Sequence, residues 1–174
     1  MVYDLAYYER TLCLNSATAK DICEIRWQFV HEAKAKTVLD YGSGVGWFRA
    51  FRPFGVVVDT YDIGVAPQTG INKENYDLIT LWDVLEHIME TGVIKLYLEK
   101  AKWAAVTVPI LPPGKYLHEW KHYKPGEHVR YYTEETLFGF FGSCGFKLVK
   151  SEQVECPPRE DIVSALFKRN KWKN

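Results

Sequence analysis

Val38–Phe48 reads VLDYGSGVGWF: an apolar run closes on three glycines, Gly42, Gly44 and Gly46, and Asp40 stands two residues before the first of them. The β-prone run predicts a strand over Thr37–Tyr41, and the residues from Gly46 to Arg52 predict a short helix that Pro53 helps to end. Glycines alone require only a sharp reversal of the chain. A strand that turns through glycines into a helix offers more. The first N–H groups of the helix have no partner within it, and absent side chains let a ligand approach the backbone.

Working outward, the same strand and helix alternation continues on both sides. Before the turn, Ile22, Ile25, Phe29 and Val30 recur at helical spacing and predict a helix over about Ala19–Ala33. After it, VVVDTY predicts a strand ending at Asp62, and YDLITLW a third strand over about Asp77–Trp82. Ile88, Val93, Leu96 and Tyr97 predict a helix leading to a strand over Ala104–Pro109. Residues 111–132 mix Pro and Gly with aromatics, His and Lys, and predict a long irregular loop of the kind that usually carries function. Thr133 is an N-cap with Glu134 and Glu135 at the positive end of the next helix, and Gly145 is its stop. FKLVKSEQVE and DIVSALFKR then predict two strands paired antiparallel at the sheet edge.

This alternation implies an α/β fold: a mostly parallel sheet, helices on both faces, and ligand sites at the carboxyl ends of the strands. The 174 residues lack repeats and linkers and read as a single domain. Its parts are an N-terminal helical segment (1–35), a cofactor-binding half (36–110), a substrate or lid loop (111–132) and a C-terminal helix with strands (133–174). Twenty-two basic against 22 acidic residues leave no net charge, which argues against nucleic acid and against an anionic membrane as partner. Cys13, Cys23, Cys144 and Cys156 form no C-x-x-C pair, so neither a disulfide framework nor a metal site is expected and the thiols are read as reduced. The start shows no signal-peptide pattern and no apolar run is long enough to span a bilayer, so a cytoplasmic location is expected.

The chemistry of the turn narrows its ligand. A dinucleotide fingerprint is G-x-G-x-x-G, but Trp47 stands where its third glycine belongs, and a pyrophosphate has little use for the Asp40 carboxylate. An ammonium group would use Asp40 well. Asp62, twenty residues past Gly42 at the end of the second strand, is placed to accept both hydroxyls of a ribose. Amino acid, ribose and adenine in one molecule describe S-adenosylmethionine.

DYGSGVG (40–46) resembles the first motif of class I S-adenosylmethionine-dependent methyltransferases, and YDIG (61–64) their ribose-binding motif. NYDLITLWDVLEHI (75–88) resembles the fourth-strand segment of the branch that includes the ubiquinone-biosynthesis O-methyltransferases; KWAAVTVPILP resembles the fifth strand, and PGEHVRYYTEETL with GFKLV the C-terminal part. The resemblance implies a Rossmann-like sheet with an antiparallel C-terminal edge strand. It implies that Asp40, Gly42 and Gly44 cradle the methionine part, with Tyr41, Ser43 and Gly46 also among the cofactor-binding residues, that Asp62 holds the ribose and that Ile63 packs on the adenine. Leu81, Trp82 and Asp83 would line the cofactor beside the reactive methyl. Only fifteen residues separate Asp62 from Leu78, so the helix and strand that the family places between its second and fourth strands are expected to be cut down or absent.

Methyl transfer from a sulfonium is an in-line displacement in which alignment carries most of the rate, and a base is needed only for a hydroxyl or protonated amine. His87, His118, His122 and His128 are the candidate bases, with His122 and His128 preferred and His87 next. The expected partner is a small-molecule methyl acceptor, reacting at oxygen or nitrogen, with a glycan precursor included. Two alternatives are a nucleic-acid methyltransferase and a cofactor-binding subunit without activity. The amino-methylating enzymes on nucleic acids carry D/N-P-P-Y/F after the fourth strand, where this chain reads LWDVLEH.

Overall fold

The computed structural model describes residues 16–65, 69–155 and 159–172; Tyr7–Arg10, Cys13 and Cys156 lie outside them. Helix α1 (Ser16–Phe29) and a 3-10 turn (His31–Ala33) lead into β1 (Thr37–Tyr41), then α2 (Trp47–Ala50) and β2 (Val57–Tyr61). Strand β3 (Tyr76–Trp82) is followed by a 3-10 turn (Leu85–His87), α3 (Thr91–Leu98) and β4 (Ala101–Pro109). The chain closes with α4 (Glu134–Ser143), β5 (Phe146–Glu152) and β6 (Ile162–Arg169).

The six strands form one sheet in the order β2-β1-β3-β4-β6-β5. β2, β1, β3 and β4 run parallel, and β6 lies antiparallel between β4 and β5. The expected Rossmann-like, mostly parallel α/β sheet is thus present, with an antiparallel hairpin closing its C-terminal side. Covering on both faces explains why the inner strands read as unbroken apolar runs. On one face α1 and α2 bring Cys23, Phe29 and Phe48 onto Val38, Val58, Leu78 and Trp82. On the other, α3 and α4 bring Ile94, Leu98, Leu137 and Phe141 onto Leu39, Ile79, Leu81 and Phe167.

Helix α1 is turned slightly from the stripe its periodicity predicts. Ala19, Cys23, Phe29 and Val30 are enclosed, whereas Ile22 and Ile25 are half-buried. The rotation follows from Trp27, whose ring stacks on Phe48 (centroids 4.0 Å apart) and whose Nε1–H donates to the Phe48 carbonyl at 3.0 Å. The turn places Arg26 toward the end of β3, where it matters below.

The helix expected directly after β3 starts late. Asp83 adopts a left-handed backbone (φ 58°), and the Glu86 carbonyl accepts from Val129 and Arg130 N–H groups at 2.8 and 3.1 Å. A carbonyl held by the 111–132 loop cannot seed a long helix, so one 3-10 turn forms and α3 begins at Thr91. Helix α4 begins as expected: Thr133 Oγ1 accepts from Thr136 N at 3.2 Å and Thr136 Oγ1 from Thr133 N at 2.9 Å.

Between β2 and β3 the described residues hold neither helix nor strand, which agrees with the shortened segment the resemblance implies. Loop groups instead satisfy the edge of β2. Thr60 N donates to Thr69 Oγ1 at 2.7 Å, Gly70 N to the Thr60 carbonyl at 3.1 Å, and Asn72 N to Asp59 Oδ2 at 3.3 Å. An edge strand with its backbone occupied does not invite pairing with another chain. Among the described residues no helix is long and apolar enough to cross a membrane.

Candidate active site

The glycine turn is built as a cradle at the carboxyl ends of β1 and β2. Gly42, Gly44 and Gly46 all take left-handed backbones, with φ of 75°, 52° and 83°. Gly42 and Ser43 N–H groups both donate to the Tyr61 carbonyl, at 2.7 and 3.2 Å, which fastens the turn to the end of β2. A Cβ on Gly42 would lie 2.4 Å from Val84 Cγ2, so only glycine fits between the turn and the residue after β3. Helix α2 is a single turn, so the cradle rests on backbone groups and close approach more than on a helix dipole.

Two acids frame this turn. Asp40 is buried, its carboxylate accepts from Thr80 Oγ1 at 2.7 Å, and burial pushes its pKa up to about 6 despite that bond and the nearby Arg26. A carboxyl whose charged form is disfavoured by a dry site gains most from a cation brought beside it. Asp62 bridges two loops: Oδ2 accepts from Gly44 N and Oδ1 from Gly64 N, each at 2.8 Å. Both oxygens retain lone pairs for two hydroxyls. Ile63, next along, is 95% exposed, and Tyr41, Tyr61 and Tyr97 cluster beside the turn with centroids 4.9–6.3 Å apart.

At the end of β3 the side chains expected to line the cofactor sit at different depths. Leu81 is fully enclosed in the core under α3 and α4, and Trp82 packs on the α1 face against Phe48 with the Arg26 guanidinium 5.1 Å above its ring. Both are core side chains, because alternation along a strand flanked by helices on both faces leaves neither a free surface. Asp83 alone of the three emerges, and it is held by two arginines. Arg26 Nη2 donates to Asp83 Oδ2 at 2.8 Å and Arg159 Nη2 to Asp83 Oδ1 at 2.7 Å. Glu155 completes the square, accepting from Arg26 Nε at 2.7 Å and from Arg159 Nη1. The two guanidiniums outweigh burial and pull the Asp83 pKa down to about 2.

The histidines separate. His87 and His128 lie with ring centroids 4.9 Å apart, beside the buried Glu86. His122 stands apart with Nε2 3.0 Å from the Glu160 carbonyl, and His118 is exposed on the loop. Burial is the first cause lowering the pKa of His87, His122 and His128, so each is neutral near pH 7 and able to accept a proton. The loop carrying His128 is anchored by Trp120, whose Nε1–H donates to Asp161 Oδ2 at 3.0 Å.

A model of the methyltransferase domain matches residues 15–151. The chain belongs to this methyltransferase family. No curated protein sequence matches it. Among solved structures, the methyltransferase domain is similar to a 1,6-didemethyltoxoflavin-N1-methyltransferase of Burkholderia thailandensis (16% identity, 95% of this chain and 84% of that one, TM-score 0.65). It is similar also to an S-adenosylmethionine-dependent methyltransferase of Clostridium acetobutylicum (12%, 95% and 97%, 0.65) and to magnesium protoporphyrin IX methyltransferase of Synechocystis (16%, 89% and 83%, 0.62). At such identities these likenesses speak for the fold. The family assigns S-adenosylmethionine as the cofactor.

Three participants escape the sequence reading: Arg26, Arg159 and Glu86. Arg26 interrupts the enclosed face of α1 between Cys23 and Phe29, and a charge inside an apolar stripe was the available signal. Glu86 sits between two apolar residues and His87 in VLEHI, with no local pattern to mark it as buried. Nothing around Arg159 announces its partners.

Proposed function

We propose that this methyltransferase moves the methyl group of S-adenosylmethionine to an oxygen or nitrogen of a small molecule. The observation that carries the reading is the pairing of Asp40 and Asp62 across one glycine cradle, at the ends of adjacent parallel strands. When bound, the cofactor supplies an activated methyl on sulfur. Asp40 would hold its ammonium, Gly42 and Gly44 would let it approach the backbone, and Asp62 would accept from its ribose while keeping the turn in shape. Ile63 would cover one side of the adenine.

On the acceptor side, neutral His128 or His87 would take the proton of a hydroxyl as the methyl arrives; His122 remains a candidate at the loop surface. The Arg26–Asp83–Arg159–Glu155 square fastens α1 over the end of β3. The likeness of residues 75–88 and 125–137 to the ubiquinone-biosynthesis O-methyltransferases supports an oxygen acceptor. The small-molecule enzymes among the structural neighbours support an acceptor of that size. Zero net charge argues against nucleic acid.

Titration calorimetry with S-adenosylmethionine tests the cofactor reading. Single turnover with an acceptor panel, read as S-adenosylhomocysteine formed, tests the transfer. Absence of binding removes the first; binding without product from any acceptor removes the second and leaves a cofactor-binding subunit.

A further inference from the structure

Beside the cradle, Glu86, His87 and His128 each offer a ligand atom, and these atoms lie within 4.8 Å of one another. Neither the glycine turn nor the ribose acid uses this cluster. Each imidazole is oriented from behind: His87 Nδ1 lies 3.0 Å from the Glu127 carbonyl and His128 Nδ1 2.9 Å from the His122 carbonyl. A carbonyl only accepts, so Nδ1 carries the hydrogen in both rings, and in the neutral ring Nε2 carries the lone pair. His87 Nε2 is 3.9 Å from Glu86 Oε1, and His128 Nε2 is 3.8 Å from Glu127 Oε1. Metal-bound histidines are held in this way, through a backbone carbonyl on the far nitrogen.

Glu86 supplies the second, independent sign. Its residue is 3% exposed, and Oε2 is buried with no hydrogen-bond partner among the described residues. A buried carboxyl oxygen without a donor is costly, and the neighbouring Asp83 adds negative charge on the same side.

We propose that Glu86, His87 and His128 form a binding site for a borderline divalent transition ion, with Zn2+ as its representative. Two imidazoles and one carboxylate match this class of ion better than Mg2+ or Ca2+, which take mainly oxygen ligands. Three protein ligands also leave a coordination position open, as catalytic zinc sites do. The metal site stands without the methyltransferase reading. That the open position takes an oxygen of the methyl acceptor rests on that reading, and with the ion bound the ion, in place of the imidazoles whose Nε2 lone pairs it occupies, would promote loss of a hydroxyl's proton.

The test titrates chelator-treated full-length protein with Zn2+ alone, at neutral pH, in competition with a chromophoric chelator, and in parallel titrates S-adenosylmethionine. One equivalent should bind with a dissociation constant of about 1 µM or tighter. Glu86→Gln and His128→Asn should each weaken it by about a hundredfold or more, since even the outer partners of ligands are worth ten- to a hundredfold. S-adenosylmethionine should still bind both variants. Should a variant not fold, wild-type titration together with a Zn2+-induced rise in melting temperature decides the matter. No binding by the wild type, or binding undiminished in folded variants, overturns the site. Loss of S-adenosylmethionine binding with Zn2+ binding intact would instead strike the cofactor reading alone.

Discussion

Gly42 carries the least freedom of any residue in the site. Its φ of 75°, and the 2.4 Å at which an added Cβ would meet Val84 Cγ2, mean that Gly42→Ala adds both backbone strain and a clash. The variant should lose roughly 1–3 kcal/mol of stability, read by urea denaturation, and its cofactor affinity as well. Asp62→Ala should weaken S-adenosylmethionine binding about ten- to a hundredfold, through lost ribose bonds worth roughly 1–3 kcal/mol. Because Asp62 also holds Gly44 and Gly64, Asp62→Asn, which keeps one acceptor oxygen, should fall between wild type and Asp62→Ala in the same calorimetric series. Asp40 gives a pH signature. Its folded pKa of about 6 lies above the ordinary 3.8, so its contribution to stability is full below about pH 4 and is lost as pH rises through about 6. The cofactor's ammonium favours the ionised form, so affinity should rise from about pH 5 to about pH 7. Asp40→Asn should flatten that rise; a rise of equal size in the variant would assign it to another group.

Between elements, the decisive contact is the charge square that joins α1, the end of β3 and the segment before β6. Glu155 is 1% exposed and Arg26 13%, so removing Arg26 leaves a buried carboxylate short of a partner. Arg26→Ala should cost roughly 3–5 kcal/mol in thermal or urea melts. Arg159→Ala should cost less, because that side chain is 29% exposed and water can replace part of it. The elements themselves were largely readable in the amino-acid order: α4 with its Thr133 cap, β1 through β4 and the C-terminal hairpin stand close to their expected bounds. The register of α1 was not, since Ile22 and Ile25 satisfy helical periodicity as well as Ala19 and Cys23 do. Only the stacking of Trp27 on Phe48 chooses between the two faces. The late start of α3 was equally hidden, because it depends on Val129 and Arg130 reaching the Glu86 carbonyl from the distant loop.

For the whole molecule, a cofactor that binds only the native state must stabilise it. S-adenosylmethionine at about a hundred times its dissociation constant should add about 2.7 kcal/mol, which for a chain of this size raises the melting temperature by roughly 5–10 °C. An unchanged melting curve at that concentration would contradict binding at the cradle. The order of local signals along the chain determined the strand and helix alternation, the glycine turn, and the two acids at strand ends. Such features depend on neighbours within a few residues, through side-chain period and turn chemistry. Tertiary structure alone decided that Leu81 and Trp82 serve the core, that Arg26 meets Glu155 across 129 residues of sequence, and that His87 and His128 share a site with Glu86 while His122 does not. Those outcomes turn on which face of a strand or helix is covered and on where a loop lands, and a shift of one residue would reverse each of them.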